Sequence, residues 1–314
     1  MKVNIYCPPQ SLEHVGFPCF SERPKRLESL NELFDTLMLS VTASPKASRE
    51  QMLRAHASVY LEHVEAVSKM GLLPAIIANI TSPYVQWYTR VSKGSYEAGL
   101  YAAGAVCQAV EDTLSGKITR SFCAVRPPGH HAGQERGEGF CLFNNVAIGA
   151  LNALSLGAKR VAIIDFDRHH GNGTQDIVSK QSGEKILFIS SYQNGCKYSK
   201  GCEGKEPPTN VVLVPIPEHS PWWVVRTEYL AKVIPALYAF KPDLLLVSAG
   251  FDMHISDPLT NIRLQDEDFY GLTQLLVSVA NDLCDGRIVS VLEGGYNLKA
   301  LKDCVAFHLQ ALEI

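Results

Sequence analysis

The chain lacks an excess of positive charge, a paired-cysteine framework and any long apolar run, and each absence narrows what it can be. Lysine and arginine number 29 against 32 acidic residues, a formal net charge of -3, so no bulk attraction to nucleic acid is expected. The densest basic run, Arg23-Pro-Lys-Arg26, reads as a solvated helix start. Nine cysteines (7, 19, 107, 123, 141, 196, 202, 284 and 304) are odd in number and never spaced CxxC. That spacing argues against a disulfide scaffold or a zinc ribbon and for small core thiols in a reducing, cytoplasmic setting. No uninterrupted apolar span reaches the ~20 residues of a membrane helix, and the amino-terminal MKVNIYC reads as a strand, not a secretory signal. Missing too are repeats, low-complexity tracts and any linker long enough to separate a pair of domains. The expectation is one domain, residues 1–314, monomeric, with no membrane or direct nucleic-acid partner.

What is present is an alternation of long helix-like segments with short apolar runs, from about residue 95 onward. SFCAVR, RVAIIDFD, KILFIS, DLLLVSA and RIVSVLE are β-rich and bounded by Gly, Pro or charge, without in/out alternation. Such strands belong in a sheet covered on both faces, hence mostly parallel. SYEAGLYAAGAVCQAVEDTLSG, FNNVAIGALNALSLGA, YLAKVIPALYAF and FYGLTQLLVSVANDLCDG supply the crossover helices.

Parallel sheets bind ligands at the carboxyl ends of their strands. Four polar clusters follow the apolar runs there: RPPGHHAGQERGEGF, DFDRHHGNGT, SAGFDMHISDP and EGGYN. Ordinary βα loops account for the glycines but not for so many ionisable groups. In an extended segment Asp165, Asp167 and His169 project to one side while Phe166 and Arg168 point away. Asp and His accept zinc or another first-row divalent metal, and a third ligand from elsewhere would leave a vertex for water. Asp257, in the loop after DLLLVSAGFD, is the candidate for that third ligand. His130-His131 is a second adjacent histidine pair and suits proton transfer. Tyr296, in a glycine loop, can offer a hydroxyl to an oxyanion. A bland reading, a structural hydrogen-bond network, fits each residue singly but not the set.

Taken together, RPPGHHAG, GFCLFNN, IDFDRHHGNGTQDI, SAGFD…SDPL and LEGGYN resemble the zinc-dependent histone deacetylase and acetylpolyamine amidohydrolase family, in its class II and bacterial branches. The resemblance runs from about Pro24 to about Leu301. It implies an arginase-like three-layer α/β/α sandwich around a mostly parallel sheet of about eight strands. It also implies catalytic Zn2+ on Asp167, His169 and Asp257, with Fe2+ or Co2+ as alternatives, and structural K+ at Asp165 and Ser190 with Asp167 and His169. His130, His131 and Tyr296 match the catalytic groups, with Asp165 orienting His130 and Asn172 beside His131. An amide at residue 172 brings no negative charge, so His131 is expected to stay neutral. Gly139, Phe140, Tyr198, Leu264 and Gly294 match the substrate channel, and Arg26 an inner acetate cavity.

Departures from the family pattern lie at the rim. Tyr192 replaces a histidine, Arg168 stands where apolar residues are common, and Tyr88 replaces a rim aspartate. Leu264 stands at the position of an acidic polyamine gatekeeper, and the segment before SYEAGL is too short for a closing insertion. The last two features favour an acetylated protein or peptide as partner over a small acetylated amine, whereas Tyr88 speaks against it, since classical lysine deacetylases grip the peptide backbone with that aspartate. A ureohydrolase would show DxHxD, which is not the pattern here, and a non-catalytic acetyl-lysine binding module would not need the intact ionisable set.

Overall fold

In the computed structural model of the protein, residues 3–16, 20–181, 185–198 and 206–313 are described. Cys19, Cys202 and the end of the YSKG segment lie outside them. Eight strands form one parallel sheet in the order β2-β1-β3-β8-β7-β4-β5-β6. They are β1 (Asn4–Tyr6), β2 (Val41–Thr42), β3 (Arg120–Cys123), β4 (Val161–Asp165), β5 (Ile186–Gln193), β6 (Val211–Ile216), β7 (Leu244–Ala249) and β8 (Ile288–Leu292). The five apolar runs form β3, β4, β5, β7 and β8. The two edge strands, β2 and β6, are not among those runs: β2 is two residues long, and β6, although apolar in sequence (VVLVPI), is interrupted by Pro215, which is tolerated there because the strand lies at the sheet edge.

The continuous apolar runs arise because each strand feeds two cores. Along β4, Val161 and Ile163 join the cluster on one face, while Ala162 and Ile164 join the other; along β7, Leu244 and Leu246 oppose Leu245 and Val247 in the same way. Helices cover both faces. They are α1 (Lys25–Thr36), α2 (Arg49–Leu53), α3 (Ser58–Ser68), α4 (Leu72–Thr81), α5 (Ser95–Leu114), α6 (Asn145–Ser155), α7 (Asn172–Val178), α8 (Trp222–Glu228), α9 (Ile234–Phe240), α10 (Asp268–Cys284) and α11 (Leu298–Leu312). The YLAKVIPALYAF segment is not one regular helix: Tyr229–Val233 forms a π turn ahead of α9, whose first turn holds Pro235. Cys107, Cys123, Cys284 and Cys304 are core thiols.

One expectation is corrected at the start of α1. Arg26 is not a solvated helix-start charge but is fully buried. Its Nε donates to the Gly295 carbonyl at 2.6 Å and its Nη2 to the Glu293 carbonyl, so the guanidinium clamps the loop after β8.

Strand order decides where the site lies. β3, β8, β7 and β4 are consecutive neighbours in the sheet, so the four polar clusters at their carboxyl ends meet at one edge. Loops that are distant along the chain stand side by side in the sheet.

Candidate metal and catalytic site

The chain leaves β4 at Asp165 through two successive side-chain-to-backbone turns. The Asp167 amide donates to Asp165 Oδ1 at 3.0 Å and the His169 amide donates to Asp167 Oδ1 at 2.8 Å. Each carboxylate thus binds the backbone two residues on, the habit that makes Asp a turn residue. The three side chains converge through these turns, since the strand itself ends at Asp165. Phe166 goes into the core, where burying such a side chain contributes roughly 1.5–3 kcal/mol. Arg168 donates through Nε to Gln193 Oε1 at 2.8 Å, and its Nη1 lies 3.1 Å from His169 Nε2, the ring nitrogen on the far side from the carboxylates.

The third acidic partner is Asp252, not Asp257. Ligand atoms of Asp167, His169 and Asp252 all lie within 4.8 Å of one another, and His169 Nδ1 is 3.0 Å from both Asp167 Oδ1 and Asp252 Oδ2. Asp257 is spent elsewhere. Its Oδ2 accepts from the Tyr296 and Asn297 amides at 2.6 and 3.3 Å, and its Oδ1 accepts from the Leu259 amide at 3.0 Å. It therefore holds the loop that carries Tyr296. The signal for Asp252 was in the sequence, as the Asp of GFD directly after the strand; spacing alone could not choose between two aspartates in one loop.

Several observations fit this triad to a divalent cation. Asp252 Oδ2 is buried and makes no hydrogen bond of good geometry. Burial alone would raise the Asp167 carboxyl, yet the charges of His130 and His169 hold it well below the usual range. Burial raises Asp252, and the Asp167 charge adds to that. Burial works against a charged His169, but the Asp167 and Asp252 carboxylates, each 3.0 Å from its Nδ1, lift it to about 10. Two carboxylates thus converge on His169 Nδ1, an arrangement that a divalent cation between them would satisfy. Two glycines leave the room: a Cβ on Gly250 would sit 2.2 Å from Asp167 Oδ2, and one on Gly294 2.5 Å from Asp167 Oδ2 and 2.7 Å from Asp252 Oδ2. Two carboxylates and an imidazole suit zinc, iron or cobalt alike.

Ser190 pairs in register with Asp165, and its hydroxyl lies 2.9 Å from His170 Nδ1. Two other groups of metal-ligand composition occur among the described residues. In one, His254 Nδ1 accepts from the Ser256 amide, so the ring proton sits on Nε2 and is directed at Asp266, a hydrogen-bond network. The other, His130 with Cys141 and Glu293, belongs to the acid/base pair described next.

The rings of His130 and His131 lie with centroids 4.0 Å apart, tilted by 36°, yet their environments push them in opposite directions. Burial disfavours a charged His130, but Asp167 and Asp165 outweigh it and hold its pKa well above the ordinary value; Asp165 Oδ2 is 3.0 Å from its Nδ1. Burial, then the positive neighbours His130 and His169, hold His131 well below its ordinary value. One ring keeps a proton and the other is free to take one, the pattern that separates acid from base. His131 Nδ1 lies 2.6 Å from Asn172 Oδ1.

Glu293 and Glu138 join the site without having been expected from the sequence. Glu293 Oε2 accepts from the Gly129 and His130 amides at 2.7 and 3.1 Å, fixing the histidine turn, and burial raises its carboxyl to about 7. Glu138 accepts from the Asn172 side chain. Its sequence signal was only its place in GEGF.

Tyr296 packs at 6.0 Å from Phe140 with the Arg26 guanidinium 5.0 Å from its ring centroid. Burial holds its phenol well above the ordinary value, with Arg26 opposing. Phe140 and Gly139 both adopt positive φ (69° and 58°), and a Cβ on Gly139 would strike the His131 ring at 2.1 Å. Tyr198 stacks on His131 at 3.9 Å, and its hydroxyl lies 2.8 Å from that of Tyr88. Phe20, Trp87 and Tyr88 continue this aromatic mouth. Leu264 is not at the rim: it is 0 % exposed and sits in the hydrophobic core. Leu259, which precedes Leu264 by the same interval as Asp252 precedes Asp257, is half-buried. Tyr192 is buried beside His170.

Comparison with known proteins follows the same lines. Residues 20–312 match the histone deacetylase domain. The chain is 41% identical over 245 residues to type-2 histone deacetylase 2 of Dictyostelium discoideum, covering 71% of this chain but 14% of that much longer protein. It is 32% identical over 312 residues to a probable deacetylase of Archaeoglobus fulgidus, covering 95% of this chain and 82% of the relative. A histone deacetylase-like amidohydrolase of Pseudomonas aeruginosa is 33% identical, over 92% of this chain and 74% of its own length. Among solved structures, the HDA15 HD domain superposes with a TM-score of 0.85 at 27% identity, covering 99% of this chain and 91% of that one. The eight-stranded parallel sheet is thus that of a deacetylase α/β sandwich.

Proposed function

Because this chain belongs to the histone deacetylase family, we propose that residues 1–314 form one catalytic domain that hydrolyses acetylated lysine side chains of proteins or peptides with a divalent metal, zinc first. The observation that carries this reading is the Asp167–His169–Asp252 triad beside two histidines, one held against the Asp165 carboxylate and the other against the Asn172 amide. A cation on the triad would polarise the amide carbonyl and acidify a water molecule.

The chain's own groups do the rest. With Nδ1 engaged by Asn172, His131 has Nε2 left to take a proton from the attacking water. His131 then passes that proton to the leaving amine, while His130 keeps its own proton against Asp165 and supports the charge on the pair. Tyr296, protonated at neutral pH, donates to the tetrahedral oxyanion. Phe140 and Tyr198 flank the approach as apolar walls suited to a methylene chain. A K+ near Asp165 and Ser190 remains part of this reading.

Two features support lysine over polyamine substrates. Lys197 lies at the mouth, 4.4 Å from the Tyr88 ring centroid, where its charge repels the free ammonium groups of a polyamine. Leu259, half-buried in the loop after Asp252, offers no acidic group to a polyamine. The core thiols fit a reducing, cytoplasmic location, and a monomer is the simplest working state. The test is a competition panel of acetyl-lysine peptides against acetylspermidine and acetylputrescine, compared by kcat/KM, with and without full chelation. Higher kcat/KM on peptides, lost on chelation, is expected. Preference for the small amines overturns the substrate assignment, and turnover unaffected by chelation overturns the mechanism.

A further inference from the structure

We propose that Glu138 is a positioning residue that selects the tautomer of His131 through Asn172. This rests on the reading of His131 as the base and adds how its lone pair comes to face the reaction. His131 Nδ1 is 2.6 Å from Asn172 Oδ1, and Asn172 Nδ2 donates to Glu138 Oε1 at 2.6 Å. The polarity of this chain is set from its far end. Glu138, 4% exposed, also accepts from Arg136 Nη2 on Oε1 at 2.6 Å and from Gln86 Nε2 on Oε2 at 2.7 Å.

A carboxylate paired with a guanidinium accepts hydrogen bonds and has no proton to give. Only the NH2 of Asn172 can face it, because an amide oxygen there would set two acceptors 2.6 Å apart. Asn172 Oδ1 is therefore turned to His131 and requires a donor. The His131 proton must sit on Nδ1, and Nε2 keeps its lone pair.

An asparagine without this partner would not impose that choice, since its amide presents either oxygen or NH2 after a half-turn. An aspartate would impose it, but with a negative charge against the ring that raises its proton affinity. Glu138 with Asn172 secures the tautomer and keeps the carboxylate one amide away. The backbone holds Glu138 in place: the Gly137 amide donates to the Tyr84 carbonyl at 2.8 Å, and the Gln86 amide to the Gly137 carbonyl at 3.0 Å.

Two variants separate the need for an acceptor from the need for charge. In Glu138→Gln the guanidinium of Arg136 still demands the side-chain oxygen, which Asn172 shares, and Gln86 can turn its otherwise unpartnered Oε1 to the new NH2. Its kcat should stay within about threefold of the parent. Glu138→Met removes the acceptor and should lower kcat by the 10–100-fold typical of outer partners, with KM unchanged. Asn172→Asp should restore most of that loss in the Glu138→Met background. Alone it should impair the enzyme by opposing two carboxylates.

The tautomer itself is read without turnover, from 15N-histidine chemical shifts of the metal-free protein, the His131 signals being those lost in His131→Gln. Nδ1–H is expected for the parent and Glu138→Gln, with Nε2–H appearing in Glu138→Met. An Nε2–H parent overturns the proposal whatever the variants do, as does a Glu138→Met protein with parental kcat and tautomer, or no rescue by Asn172→Asp. The expected tautomers with no hydrolysis of any acetylated substrate would leave this inference standing and remove the functional reading.

Discussion

The choice of Asp252 over Asp257 makes a crossed prediction. Asp252→Asn keeps size and the bond from the Arg168 amide on Oδ1 but removes a charge from the triad. Burial and the Asp167 charge disfavour an ionised Asp252 while His169 favours it, so these effects oppose one another and the metal-free variant should lie close in stability to the metal-free parent. It should nevertheless lose metal by more than the ~10–100-fold that outer partners carry, and kcat with it. Asp257→Asn should do the reverse. Three backbone amides converge on its carboxylate, and an asparagine offers one oxygen while turning an NH2 toward a donor. Losing bonds of this charge-assisted kind costs about 1.5–3 kcal/mol, or roughly 3–6 °C in Tm at about 2 °C per kcal/mol for a chain of this size. Metal content per chain by mass spectrometry after dialysis, and melting with and without chelator, read both effects. Stoichiometric metal in Asp252→Asn, or its loss in Asp257→Asn, would refute the reasoning.

Other outcomes follow from the same geometry. Gly294→Ala puts a methyl carbon 2.5 Å from Asp167 Oδ2 and should weaken metal binding by at least tenfold in a folded protein, read by competition with a chelating dye. Tyr296→Phe removes the oxyanion donor and should lower kcat about 10²–10³-fold with metal content unchanged; a smaller loss would assign the donor elsewhere. Burial holds His56 at about 4 and His308 at about 3, below their ordinary value. The unfolded chain therefore takes these protons first: the stability is whole above pH 6.5 and drains away as pH falls toward 4. The loss is roughly 3 kcal/mol for each such histidine at the acid end. Denaturant midpoints measured from pH 7 to pH 4 check this, and a flat profile would contradict it.

The order of residues alone determined the strands that are buried on both faces, because continuous apolar runs have one stable home in a helix-covered sheet. It also determined the stock of ionisable residues at strand ends, DFDRHH, PPGHH, GFD and EGGYN. It left the edge strands unread, because β2 is only two residues long and the apolar run VVLVPI of β6 is broken by Pro215, which counts against a strand anywhere but at an edge. It could not pair residues across loops: Asp252 and Asp257 are equivalent by spacing, Arg26 looks like a surface charge, and Leu264 looks like a rim residue. The parallel pairing of β4 with β7, Asp165 against Ser248, brings Asp252 to Asp167 and His169, while the turn after it delivers Asp257 to the Tyr296 amide. The polarity of Glu138, Asn172 and His131 likewise exists only after folding, because hydrogen-bond direction depends on which partners are buried together.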